Sequence, residues 1–208
     1  MGLALAACSN TPQPPQWQMN AKGSAERATE AWLSGETRVE AAEFARARSE
    51  VTRTGRPELV ARLELLRCAA RVASLDFVPC DGFEVVAGDA DAPERAYARY
   101  LSGAIEAGDA ALLPEPHRAL VVAAAPDAAL AAIQDPLSRL VAAGALMRSG
   151  RATPGVIAQA VETASARGWR RPLLAWLKVQ QQRAEAAGDS AAAASLQRRI
   201  DLVLSAGG

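Results

Sequence analysis

What this 208-residue chain has little of narrows its fold and chemistry first. Aromatic side chains make up only 4% of a sequence that is half apolar. Sheets draw on β-branched and aromatic residues, so an apolar half dominated by alanine points to close-packed helices. Charge of one sign is not in excess either: 23 Lys and Arg balance 23 Asp and Glu, a formal net charge of zero. That balance excludes the electrostatic footprint of a nucleic-acid binder and of a surface adhering broadly to anionic lipid. No apolar run approaches the ~20 residues that span a bilayer.

Histidine is nearly absent. The single one, His117, lies in Pro114-Glu115-Pro116-His117, at the first turn of a predicted helix, where a surface position is expected. So placed, it supplies no base for a Ser-His-Asp or Cys-His arrangement. Neither common spacing of a glycine-rich phosphate loop occurs. Asp89-Ala90-Asp91 with Glu94 is too short for a calcium loop and lacks its central glycine; helix capping explains it. Two cysteines and one distant histidine do not make a metal ligand set. The expectation is a protein with no catalytic residue, no metal and no cofactor.

What is present begins at the N-terminus. Leu5-Ala6-Ala7-Cys8, then Ser9-Asn10 and Thr11-Pro12-Gln13-Pro14-Pro15, resembles a bacterial lipobox followed by a tether. Small residues before the cysteine let a peptidase reach the backbone, and a thiolate is the nucleophile that acylation needs. Each buried CH₂ of an acyl chain adds ~0.8 kcal/mol of membrane affinity, so several chains hold firmly. The seven residues before Cys8 carry no Lys or Arg, a departure from the charged start of a signal peptide. The alternative is an alanine-rich terminus whose cysteine carries no lipid. The resemblance implies lipid attachment at Cys8, and Ser9 resembles the following residue of lipoproteins sorted to the outer membrane. Residues 1–7 are then a residual signal segment, 8–22 a lipidated linker, and 23–208 a helical-repeat-like domain with a subdivision near 76–92. Cys68 and Cys80 remain as an even pair with eleven residues between them. An oxidising periplasm joins such a pair as a disulfide; otherwise they are two buried thiols.

From Ser24 onward, caps, prolines and glycines punctuate an all-α chain of about 8–10 helices in stacked antiparallel hairpins. Ser24 opens a helix closed by Gly35, Thr37 with Glu40 forms a capping box, and Pro57 starts a third helix. Asp91-Ala92-Pro93-Glu94 restarts the helix after an irregular stretch. Pro116 starts a run to Ala125. Asp135-Pro136, Thr153-Pro154 and Pro172 open later helices, and Gly188-Asp189 turns into the last. Glu36, Glu40 and Glu43 fall on one face, interleaved with Arg38 and Arg46 as a solvated surface. One internal echo stands out. Glu26-Arg27-Ala28 followed by Trp32-Leu33-Ser34-Gly35 matches Glu94-Arg95-Ala96 followed by Tyr100-Leu101-Ser102-Gly103, 68 positions apart. That offset is about two ~34-residue hairpins. The final helix pair resembles a tetratricopeptide hairpin in length, turn and position, with Gln180 and Gln181 where that family wants a leucine and a small residue. That resemblance implies a helical stack with a concave binding face.

Two surfaces qualify for binding. Arg167, Trp169, Arg170 and Arg171 form a basic patch around an aromatic, of the composition found at protein hot spots; the alternative is helix-end arginines set against a C-terminal dipole. The irregular stretch 77–86, with Phe77, Phe83 and Val86, is a candidate pocket for a small molecule or substrate. The leading expectation is a non-enzymatic lipoprotein on the periplasmic face of the outer membrane, a scaffold or adaptor for envelope protein partners. The membrane is touched through the lipid alone.

Overall fold

The computed structural model describes residues 13–205. Among them lie eleven α-helices and two 3₁₀ turns, with no strand. The helices are α1 (Gln16–Ser34), α2 (Thr37–Thr52), α3 (Pro57–Ala73), α4 (Asp81–Glu84), α5 (Ala92–Ser102), α6 (Glu115–Val122), α7 (Pro126–Ala131), α8 (Pro136–Arg148), α9 (Pro154–Arg167), α10 (Arg170–Ala186) and α11 (Ser190–Ser205). The 3₁₀ turns span Ala87–Asp89 and Ala107–Leu112. The all-α expectation holds, with one helix more than the upper count because α4 and α7 are short pieces between longer helices.

Helix α1 begins inside the stretch read as linker. Pro15 precedes it, and its carbonyl accepts from the backbone N–H groups of Gln18 and Met19. Ser24 is therefore mid-helix and buried, its Oγ accepting from Arg27, instead of capping an end. Ala21, Ala25 and Ala28 form the buried stripe that holds this first half against α2 and α3, packing with Phe44, Ala47 and Val60. Alanines spaced by three and four carry the helix although its outer face is polar.

Neighbouring helices pack in chain order, and long-range contacts add to this. Helix α3 lies against α1, α2, α5 and α8, and α10 returns to α1. Nearest-neighbour stacking alone does not produce such contacts. The crossing of α3 and α8 is close because of Gly144, where a Cβ would run into the Val72 carbonyl. Past Ala73 and Ser74 the C-terminus of α3 leads into Leu75, whose φ of 57° places a non-glycine residue in the left-handed region. Its exposed carbonyls are taken up by indoles from other helices: Trp32 Nε1 donates to Ala70 O at 3.0 Å, and Trp176 Nε1 to Ala73 O at 3.0 Å. Buried tryptophans thus satisfy acceptors that a helix end leaves open.

The echoed sequence has a structural counterpart. Gly35 and Gly103 both adopt left-handed φ, 92° and 77°, and close α1 and α5 with the same pair of backbone hydrogen bonds. In both helices the aromatic, Trp32 or Tyr100, and the leucine, Leu33 or Leu101, are buried. The recurrence marks two helix ends built alike.

Cap assignments divide. Asp135 accepts from Ser138 N at 2.7 Å and Thr153 from Val156 N at 3.0 Å, as the cap-then-proline pairs predict. Thr37-Glu40 and Asp91-Glu94 make no capping bonds. Their glutamates are drawn to arginines instead: Glu40 to Arg67 at 2.7 and 3.1 Å, Glu94 to Arg62 at 2.5 Å. Glu43 likewise binds Arg27 and Arg46. Glu40 and Glu43 are buried, and only Glu36 of that trio is exposed. The face read as solvated is an interhelical seam, because arginines on α1 and α3 lie opposite. The run from Pro116 stops at Val122, where Ala123 turns extended, and the helix expected from Pro172 starts two residues earlier, at Arg170.

The Sγ atoms of Cys68 and Cys80 lie at disulfide distance, with Cα atoms 5.9 Å apart. The link would tie the irregular stretch to α3. Replacing both cysteines with serine is expected to lower the unfolding free energy by roughly 3 kcal/mol in the chain-entropy picture. A denaturation curve with and without reductant checks it; equal midpoints would show that no bond forms.

Candidate functional site

Cys8 lies outside the described residues. The basic patch lies within them, and its side chains divide between surface and interior. Trp169 is only 5% exposed, and its Nε1 donates to the Glu30 carboxylate at 3.0 and 3.1 Å. Arg171 donates to Trp32 O at 2.7 Å and to Thr37 Oγ1 at 2.8 Å, its guanidinium lying 3.9 Å from the Trp32 ring centroid. Burial pulls its pKa below the ordinary arginine value. Both residues hold α10 to α1. Arg167 stays exposed, its guanidinium 5.1 Å from the Trp169 ring, and Arg170 is half-buried.

The stretch 77–86 divides between core and surface. Phe83 belongs to the core, Phe77 is half-buried under the Arg148 guanidinium at 5.3 Å, and Val85 points into solvent. The aromatics that motivated a pocket face the protein.

His117 is buried, 2% exposed, contrary to the surface position expected from its proline-flanked setting. Leu113 and Leu120 around it anchor the start of α6 to the core, and the imidazole turns inward with them. Its Nδ1 shares a hydrogen bond with the Tyr100 hydroxyl at 3.2 Å, and the Tyr97 ring lies 5.9 Å away, centroid to centroid. Burial lowers its pKa to about 4, so the ring is neutral at pH 7. Burial also raises both tyrosines well above the ordinary phenol range. The three rings make a neutral aromatic cluster; no nucleophile stands among them.

Among the described residues three grooves are large enough to bind; one of about 420 Å³ runs along Ala158, Glu162 and Ser165 of α9, and two more bear on function. The first of these two, of about 420 Å³, lies over α9, α10 and α11, with Pro154, Ile157 and Leu196 as its apolar lining and Arg183 and Arg199 at its edge. Beside it, Gln181 is buried and bonds Gln197 at 2.7 Å, so the polar departure from the hairpin pattern is spent on joining α10 to α11. The other, of about 470 Å³, runs between α3, α5 and the segment entering α6. Sequence reading missed this second groove. Its signal was the Leu112-Leu113-Pro114 triplet, an apolar pair stopped by proline, with Glu94 and Tyr97 one helical turn apart.

Among the described residues no three His, Cys, Asp or Glu side chains gather as a metal site, and no helix is long and apolar enough to cross a membrane. Comparison with protein-family models, curated proteins and solved structures gave no match.

Proposed function

We propose that this chain is a non-catalytic, lipid-anchored adaptor on the periplasmic face of the outer membrane, presenting the α9–α11 face to an envelope protein. The observation that carries the binding role is that face. It has an apolar floor, exposed Arg183 and Arg199, and, one turn beyond Arg199 on α11, Leu202, 71% exposed. An acidic segment with apolar anchors complements it, since aromatic or aliphatic anchors seat in the floor and carboxylates meet the arginines. The three helices pack in chain order, which supports a helical-repeat-like reading of this end. The anchor rests on the Cys8 resemblance, and the Cys68–Cys80 pairing supports an oxidising compartment.

Gentle detergent extraction of native membranes, crosslinking and mass spectrometry test the reading. A reproducible partner is expected, with crosslinks clustered on α9–α11 and acyl mass on Cys8. Arg183→Glu with Arg199→Glu is expected to cut recovery of that partner about tenfold, the scale of losing one charge-assisted contact, while leaving the melting temperature unchanged. Crosslinks confined to another face would remove the adaptor surface, and an unmodified Cys8 would remove the localisation.

A further inference from the structure

Arginines satisfy most of the buried carboxylates in this protein. Both oxygens of Glu40 go to Arg67, those of Glu43 to Arg27 and Arg46, and those of Asp109 to Arg99. Glu94 departs from the pattern. It is 7% exposed, and its Oε1 accepts from Arg62 Nε at 2.5 Å. Its Oε2 has no partner, the one such buried side-chain atom among the described residues. Glu94 lines the second groove. A buried acceptor left unpaired is costly, and a donor brought by another molecule removes that cost.

We propose that the groove between α3, α5 and α6 binds a small neutral molecule whose apolar body ends in a hydrogen-bond donor, a hydroxyl or carboxamide, received by Glu94. This site is separate from the α9–α11 face. Leu65 and Leu113 form its buried floor, and Pro93, Tyr97, Leu112 and Pro114 form its walls. Its volume of about 470 Å³ matches sites for small organic ligands. Arg62 is the movable edge: its side chain is 57% exposed, with Asp91 4.0 Å away as a second carboxylate to lean on.

Charge decides the ligand class. Arg62 and Arg118 are balanced by Glu94 and Asp91, so the groove offers no net field for an ion. An anionic head meets the Glu94 carboxylate. A cationic head competes with Arg62 and loses its own hydration in an apolar cleft. A neutral donor avoids both costs.

The test titrates the folded full chain with octanamide, octanoate and octylamine, followed by amide NMR shifts. Octanamide is expected to bind ~10-fold tighter than either ion, the scale of one hydrogen bond to a charged group, with shifts confined to α3, α5 and residues 112–118. Glu94→Gln is expected to reverse the order, because its carboxamide donates to octanoate. Leu112→Trp, at a position 38% exposed, narrows the groove and is expected to weaken all three ligands ~10-fold without unfolding the protein. Equal affinity for the three head groups, octylamine binding tightest, or shifts mapping elsewhere would each overturn the proposal. If Glu94→Gln does not fold, the ranking on the native chain together with Leu112→Trp still decides.

Discussion

Trp176→Ala is expected to lower the unfolding free energy by about 3–5 kcal/mol, the largest single-residue effect in this protein. Trp176 has no accessible surface and is the largest of the fully buried side chains. Truncation removes its packing and leaves a cavity in the core cluster that surrounds it. It also strands the Ala73 carbonyl, which the indole N–H serves at the end of α3. Trp176→Phe separates the two contributions. It retains most of the bulk and loses the donor, so a cost of about 1–3 kcal/mol is expected from the unpaired carbonyl. Urea denaturation of both variants measures the pair; a loss below about 1 kcal/mol for Trp176→Ala would contradict the central place given to this residue.

Acid is expected to weaken the protein through His117 before its carboxylates titrate. Burial lowers the histidine from 6.5 to about 4, while the unfolded chain keeps the ordinary value. Between these values the unfolded state binds a proton that the folded state refuses. Stability is therefore full above pH 6.5, falls as pH falls through that value, and levels off below about 4. Linkage gives a loss of about 2 kcal/mol by pH 5 and about 3 kcal/mol by pH 4. Glu43 and Asp109, whose carboxyls are held below their ordinary range mainly by hydrogen bonds from Arg27 and Arg99, contribute at more acid pH. That separation makes the upper window diagnostic. His117→Asn places an amide near Nδ1, keeps a partner for Tyr100 and abolishes the titration. Its stability between pH 7 and 5 is expected to be flat where the native chain slopes. An equal slope in both proteins would show that His117 titrates normally.

The arginine clusters show where sequence patterning stops. Glu40 and Glu43 look the same in sequence whether they face water or a neighbouring helix, because their spacing is that of any charged stripe. Their burial depends on Arg67 and Arg27, which belong to α3 and α1 and arrive only when the helices pack. Trp169 and Arg171 have the composition of a binding patch for the same reason that they make a good intramolecular seam. A planar cation and an indole satisfy buried acceptors wherever these lie. The prolines beside His117 place the start of a helix and carry no information about which side of it is covered.

Local chemistry by itself determined the helical class, the glycine-closed ends at Gly35 and Gly103, and the Asp135 and Thr153 caps. Each depends on interactions within a few residues, or on a backbone conformation that a side chain permits or forbids. Tertiary structure alone decided which acids are buried, that α10 closes onto α1, and that the open grooves lie over α9–α11 and beside Glu94. Those outcomes follow from pairings between residues far apart in the chain, as with Trp169 and Glu30. Desolvation and close packing act on whatever surface another helix brings, and no local periodicity encodes the identity of that helix.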